Sequence, residues 1–225
     1  MSEAITVHHL DNSRSQRILW LLEELGLEYS IREWKRDPET MRAPAELKDV
    51  HPLGKAPVVQ IGERVYAESG AILETLVERY DTEGRFTPND LEGREELRFW
   101  LHYAEGSLMA PLLVKLIVGK MRGDSVPFFV RPVAKGIADK IDGTFTDAEI
   151  TKHFAFIEAH LSSREWFAAG QLTAADVQMS FPMEAGLARA GIPIGPGTRA
   201  WMERIQKRPA YQKALEKGGG FKGLG

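Results

Sequence analysis

The stretch Ile5-Thr6-Val7-His8-His9-Leu10-Asp11-Asn12-Ser13-Arg14-Ser15-Gln16-Arg17-Ile18-Leu19-Trp20-Leu21-Leu22-Glu23-Glu24-Leu25-Gly26 decides how the chain begins to fold. Its first six residues are short and rich in β-branched side chains, as a buried strand is. The polar turn Asp11-Asn12-Ser13 leads into residues 14–25. There Ile18, Leu21, Leu22 and Leu25 recur at helical spacing, and Gly26 stands where a C-terminal cap belongs. Leu27, Tyr29 and Ile31 then alternate with polar residues and predict a second strand. Strand, helix, strand in that order is a βαβ unit, with parallel strands and a right-handed crossover.

Outward from this unit, residues 35–52 are polar and hold Pro38, Pro44 and Pro52, which predicts an irregular connection. Val58-Val59-Gln60-Ile61 and Val65-Tyr66-Ala67 flank Gly62-Glu63-Arg64, a hairpin signature. A helix over about 69–80 follows, with Ile72, Leu73, Leu76 and Val77 on one face. Residues 81–93 are charged and turn-rich and mark a domain boundary. No strand is predicted beyond it. Residues 94–121 form a long helical pattern, bent or broken at Gly106, Pro111 and Gly119. Further helices are expected near 130–141, 147–161, 174–190 and 198–216, and the glycine-rich tail 218–225 is expected to be irregular. The fold class is therefore α/β plus all-α. A β-α-β-β-β-α unit over 1–81 and a linker at 82–92 precede an all-helical domain over 93–225.

Hydrophobic residues make up 43% of the chain, enough for a packed core. Twenty-nine Lys and Arg stand against 32 Asp and Glu, so the charge of −3 gives no footprint for nucleic acid. There is no cysteine. A disulfide framework, a thiolate metal site and a cysteine nucleophile are thereby excluded, and any sulfur chemistry must use a bound thiol. His8 and His9 are adjacent, but without other ligands at suitable spacing they predict no zinc site. The opening Met-Ser-Glu-Ala has no basic region followed by an apolar stretch, and the apolar run 111–118 is too short to cross a bilayer. A cytoplasmic protein with no membrane partner is expected.

A small mixed α/β domain followed by an all-helical one suggests a family, and four motifs carry the resemblance. The first βα stretch, His9 through Leu25, resembles that of the glutathione transferases, nearest to the bacterial and fungal branch with a serine in the turn. His51-Pro52-Leu53-Gly54-Lys55-Ala56-Pro57-Val58-Val59 is similar to the family's cis-proline loop, with alanine where valine or isoleucine usually precedes the proline. Glu68-Ser69-Gly70-Ala71-Ile72 looks like its γ-glutamyl-binding helix start, and Gly170-Gln171-Leu172-Thr173-Ala174-Ala175-Asp176 like its buried capping-box segment. They occur in the family's order and cover nearly the whole chain.

The resemblance implies a thioredoxin-like N-terminal domain and a homodimer that uses glutathione as co-substrate, with no metal. It also assigns roles. Ser13 would stabilise the glutathione thiolate, with Ser15 and Asn12 as alternatives in the same turn; read alone, Ser13-x-x-Gln16 equally fits a helix capping box. A thiol of pKa about 8.5 is roughly 3% ionised at neutral pH, and lowering it by about two units takes about 2.7 kcal/mol. One hydrogen bond to a charged group gives about 1.5–3 kcal/mol, and a helix N-terminus about 0.3–1 more. One serine at a helix start is therefore sufficient. Ala56 beside a cis Pro57 would pair with the cysteinyl backbone. Ser69 and the helix N–H groups would bind the γ-glutamyl carboxylate, Glu68 the ammonium, and Lys55 the glycyl carboxylate. Glu105, or another acid of that helix, would reach a partner subunit's glutathione. Tyr103, Ser107 and Met121 are candidates for the second-substrate pocket, with helix packing as the other reading. Thr173-x-x-Asp176 is a structural capping box.

The expected activity is transfer of glutathione sulfur to a small hydrophobic electrophile. The alternatives are glutathione-dependent peroxide or disulfide reduction, and a non-catalytic glutathione-binding scaffold.

Overall fold

Strand β1 (Ile5–Leu10) is central because its apolar residues are buried on both faces of a sheet. A computed structural model describes residues 3–123 and 126–219. In it β1 is flanked by β2 (Ser30–Trp34), which runs parallel, and by antiparallel β3 (Val58–Ile61), to which β4 (Arg64–Ala67) adds. The order across the sheet is β2-β1-β3-β4. The strand expected at Leu27 starts three residues later, because pairing runs from Thr6 with Ser30 to Leu10 with Trp34. Leu27 and Tyr29 instead pack on the core from the loop. The hairpin turn is Gly62-Glu63, since Arg64 already pairs with Ile61.

Helix α1 (Ser15–Leu25) connects β1 to β2 and ends on Gly26, whose φ of 68° is left-handed as a C-cap requires. Ile18, Leu19, Leu21 and Leu22 are fully buried on it. The connection 35–52 is not wholly irregular: a four-residue helix, α2 (Leu47–Val50), buries Leu47. Helix α3 (Ser69–Tyr80) completes the thioredoxin-like layer.

The rest is helical, with α4 (Leu91–Tyr103), α5 (Met109–Lys120), α6 (Arg131–Ile141), α7 (Asp147–Leu161), α8 (Ala174–Ala190), α9 (Pro196–Gln206) and α10 (Pro209–Gly218). Gly106 and Pro111 do not break the first of these. A π-helical turn, Ala104–Leu108, joins α4 to α5 into one 30-residue helix. It sits just before Pro111, whose missing N–H leaves the carbonyl of Ser107 without its α-helical donor. The apolar run 111–118 thus belongs to a helix long enough to cross a bilayer, yet nearly half its apolar window is buried in the molecule, and it packs along α8. A second π-helical turn, Asp142–Thr146, joins α6 to α7. The single helix expected over 198–216 is two, because Pro209 starts a new one. The tail from 220 onward lies outside the described residues.

Helix α8 runs through the molecule, touching α1, α3, α4 and α5. Its start is the expected capping box. Asp176 accepts from the Thr173 N–H at 2.9 Å, the Phe167 N–H at 3.1 Å and the Trp201 indole at 2.9 Å, while the Thr173 hydroxyl accepts the Ala175 N–H at 3.2 Å. Helix α1 also packs along α10, so it is held between the sheet and two C-terminal helices.

Candidate functional site

The turn after β1 sets the start of α1, and that start does not form the Ser13–Gln16 capping box. The helix N-cap is Arg14, which has no side-chain cap. The Ser13 hydroxyl accepts the Ser15 N–H at 3.2 Å, and Gln16 Oε1 is buried with no partner among the described residues. Ser13 Oγ also lies 2.7 Å from Ser15 Oγ, and Ser15 Oγ lies 2.8 Å from His9 Nδ1. His9 Nε2 is 2.9 Å from the Gly218 carbonyl at the end of α10. All three side chains are buried. Burial lowers the His9 pKa below its ordinary value, while the Gly218 carbonyl and the carboxylates of Glu33 and Asp11 act in the opposite sense.

Next to this turn opens a cleft of about 320 Å³. Five of the expected residues meet there: Lys55, Ala56, Pro57, Glu68 and Ser69. The Ala56–Pro57 bond is cis, as the resemblance implied. Glu68 holds a φ of 69°, an uncommon conformation for a side-chain-bearing residue and one that clusters at functional sites. It is the N-cap of α3, yet it makes no side-chain cap bond. The first N–H groups of a twelve-residue helix therefore face the cleft end without a side chain satisfying them, which is the arrangement that binds anions.

Ser13 itself does not line the cleft; Arg14, the next residue, does. Sequence reading missed Arg14, together with His51, Leu53 and Leu113; Glu105, which it aimed at a partner subunit's glutathione, lines this cleft as well. Arg14 Nε is 3.0 Å from both Glu105 carboxylate oxygens, and the same carboxylate bonds Arg17. Burial works against ionising Glu105, but these two guanidinium groups outweigh it and hold the carboxyl below its usual range. Arg17 is fully buried, donates to the Gln178 carbonyl at 2.5 Å, and is lowered by burial to about 10, which leaves it charged at neutral pH. Glu105 is thus spent within its own chain, tying α1 to the π-helical turn and neutralising two arginines.

Tyr103, Ser107 and Met121 do not line this cleft. The Tyr103 hydroxyl is 2.5 Å from His153 Nδ1 on α7, inside an aromatic cluster with Phe99, Trp100 and Phe156. Asn12 carries a φ of 49° and a buried Oδ1 with no partner among the described residues. His8 packs against the Trp34 ring and receives its indole N–H at 3.3 Å. A larger hollow, about 630 Å³, lies between α7 and residues 191–195. Its charged side chains are already engaged: Lys115 with Asp142 and Asp147, and Glu158 with the N–H groups of Gly197 and Thr198.

The profile of the family described as "Glutathione S-transferase, N-terminal domain" matches residues 13–79. Over 222 residues the chain is 35% identical to Glutathione S-transferase 1 of Saccharomyces cerevisiae, a match covering 95% of this chain and 94% of the relative. It is 37% identical over 215 residues to Glutathione S-transferase 3 of Schizosaccharomyces pombe, covering 95% and 87%. Among solved structures, a glutathione S-transferase from Actinobacillus pleuropneumoniae has a TM-score of 0.77 at 38% identity, over 96% of this chain and 93% of that one.

Proposed function

This chain belongs to the glutathione S-transferase family, and from that premise we propose that the cleft beside α1 and α3 seats glutathione, with Ser13 keeping its sulfur as a thiolate. The chain is a glutathione transferase enzyme. The observation that carries the site assignment is the convergence of a cis-proline edge, an uncapped helix N-terminus and a lysine in one cleft. Glutathione presents matching groups: a backbone to pair with Ala56, a γ-glutamyl carboxylate for Ser69 and the α3 N–H groups, an ammonium for Glu68, and a glycyl carboxylate for Lys55.

The sulfur then falls toward the start of α1. There the Ser13 hydroxyl supplies one hydrogen bond to a charged group, about 1.5–3 kcal/mol. Positioning of a small hydrophobic electrophile beside the thiolate supplies the remaining rate. Leu113 lines the same cleft and offers it an apolar wall. Tyr103, Ser107 and Met121 remain the proposed helix residues of the second-substrate pocket. Nothing among the relatives favours the peroxidase, reductase or scaffold alternatives. The enzyme divides into a glutathione domain over 1–81, a linker over 82–92 and a helical domain over 93–225, and it works in the cytoplasm as a homodimer through α3 and α4. Those two helices line a shallow groove in which Glu74 and Glu78 of α3 lie across from Arg94 and Arg98 of α4, a pattern complementary to its own two-fold copy.

The test is Ser13→Ala. The expected result is a kcat/KM lower by about 10–100-fold, which is about 1.4–2.7 kcal/mol of transition-state stabilisation, together with a stability loss of about 1 kcal/mol because the buried Ser15 N–H loses its acceptor. Adding glutathione to the variant should give less ultraviolet thiolate absorbance than in the wild type; equal absorbance would remove Ser13 from the mechanism.

A further inference from the structure

The buried row Ser13–Ser15–His9–Gly218 has a direction, and that direction follows from where the hydrogens must lie. The Gly218 carbonyl can only accept, so at 2.9 Å the His9 Nε2 carries a proton. In the neutral imidazole Nδ1 is then a lone pair, and the Ser15 hydroxyl spends its proton there at 2.8 Å rather than on its more distant acceptor, the Leu10 carbonyl at 3.3 Å. Ser15 has none left for Ser13, so across their 2.7 Å contact Ser13 donates to Ser15. The Ser13 hydroxyl proton therefore points inward, and its remaining acceptor capacity is what it can offer toward the cleft. Two features keep the row in place. The Ser15 N–H donates to Ser13 Oγ at 3.2 Å. On α10, a Cβ at Gly218 would lie 2.2 Å from Gln16 Oε1 and 2.7 Å from Leu19 Cδ1, so a larger residue there would have to displace the tips of those two α1 side chains.

We propose that Ser13, Ser15 and His9 form a proton relay that draws the proton of the glutathione thiol inward, with His9 as its terminal acceptor and the Gly218 carbonyl fixing the tautomer that can accept. This rests on the reading of Ser13 as the group beside the sulfur. The S–H bond breaks as its proton passes to Ser13 Oγ; the Ser13 proton passes to Ser15 Oγ, and the Ser15 proton to His9 Nδ1. One thiolate and one imidazolium result, both serines remain hydroxyls, and the total charge is unchanged. The proton that Ser13 has gained faces the sulfur, so the same step converts Ser13 from acceptor to thiolate donor. Burial is the largest influence on His9 and disfavours the imidazolium, so the relay holds the proton there only with the help of the Gly218 carbonyl and of the two acidic groups acting on it, Glu33 on β2 and Asp11 in the turn. His9 and Ser15 touch no substrate and act through Ser13; they are positioning residues.

The experiment adds glutathione to the weakly buffered enzyme at neutral pH and records thiolate absorbance and proton release together. The relay predicts clearly fewer protons released than thiolates formed; one proton per thiolate overturns it. His9→Gln keeps an acceptor for Ser15 and a donor for Gly218 but cannot hold a proton. It should lower kcat on the order of 100-fold, leave KM for glutathione unchanged and move thiolate formation to higher pH. Ser15→Ala, which cuts the row from the other side, should do the same. Wild-type kcat and pH profiles in these two variants overturn the relay. If they retain the thiolate while Ser13→Ala loses it, only the relay fails; if Ser13→Ala keeps it too, the reading of Ser13 fails with it.

Discussion

Replacing Glu184 by glutamine should stabilise this protein, and only above mildly acid pH. Glu184 lies on α8, where its largely buried carboxyl accepts from the Tyr211 hydroxyl and feels the Arg17 guanidinium. Burial pushes its pKa up from 4.5 to about 7, against the opposing pull of those two partners. Between these values the unfolded chain has already lost the proton that the folded chain keeps. Stability therefore falls as pH rises through that window, and is fully present below it. A shift of about two and a half pH units is worth about 3 kcal/mol. Glutamine can still accept from Tyr211 and carries no charge to desolvate. The variant should match the wild type near pH 4.5 and exceed it by about 3 kcal/mol at pH 8, a rise in melting temperature of roughly 6–12 °C for a chain of this length. Taking the difference between the two proteins removes the contribution of the buried histidines, whose lowered pKa values act in the opposite direction. Parallel thermal unfolding of both proteins from pH 4.5 to 8 makes the measurement. A stability difference that does not change with pH, or a variant weaker at pH 8, would refute the assignment of a costly buried charge.

Three other substitutions separate binding, folding and packing. Ser69→Ala, at the mouth of α3, should raise KM for glutathione about tenfold, the worth of one hydrogen bond to a carboxylate, with kcat little changed; steady-state kinetics decide it, and a fall in kcat alone would contradict the role. Thr173→Ala removes the hydroxyl that caps α8 and should cost about 1 kcal/mol with normal turnover; an unmoved urea midpoint would count against it. Gly197→Ala would place a Cβ 2.6 Å from the Leu161 carbonyl and 2.7 Å from the Ser162 nitrogen, backbone atoms that cannot rotate away. A loss of about 1–3 kcal/mol is expected, and a midpoint equal to that of the wild type would show that α7 and α9 slide freely.

The parts of this fold that could be read from the sequence are those where local chemistry and tertiary packing agree. Helix α1 has its apolar spacing and its glycine cap, and the hairpin has its turn residue; neither needs a distant partner to be specified. Strand β2 was displaced because it is a half-exposed edge whose register is dictated by β1, while the alternation of Leu27 with Tyr29 serves loop-to-core packing. The cleft divides in the same way. Pro57, Glu68 and Ser69 carry backbone signals, whereas Arg14 and Glu105 are united by an ion pair spanning 91 positions, for which a single sequence holds no sign.

The long helix shows most clearly why the second pocket resisted prediction. Tyr103 and Met121 are separated by 18 positions, five whole turns of an α-helix, and would share one face of an unbroken one. The π-helical turn at Ala104–Leu108 lies between them and inserts one residue, rotating everything beyond it by about 100°. Tyr103, on the near side of that turn, packs in the aromatic cluster against α7, while Glu105 and Leu113, eight positions apart, are brought about seven positions apart in phase and meet in the same cleft. The widened turn is thus what aims the helix at the site: Pro111 removes the hydrogen bond, the π turn absorbs the loss, and the resulting change of phase delivers Glu105 to Arg14 and Arg17.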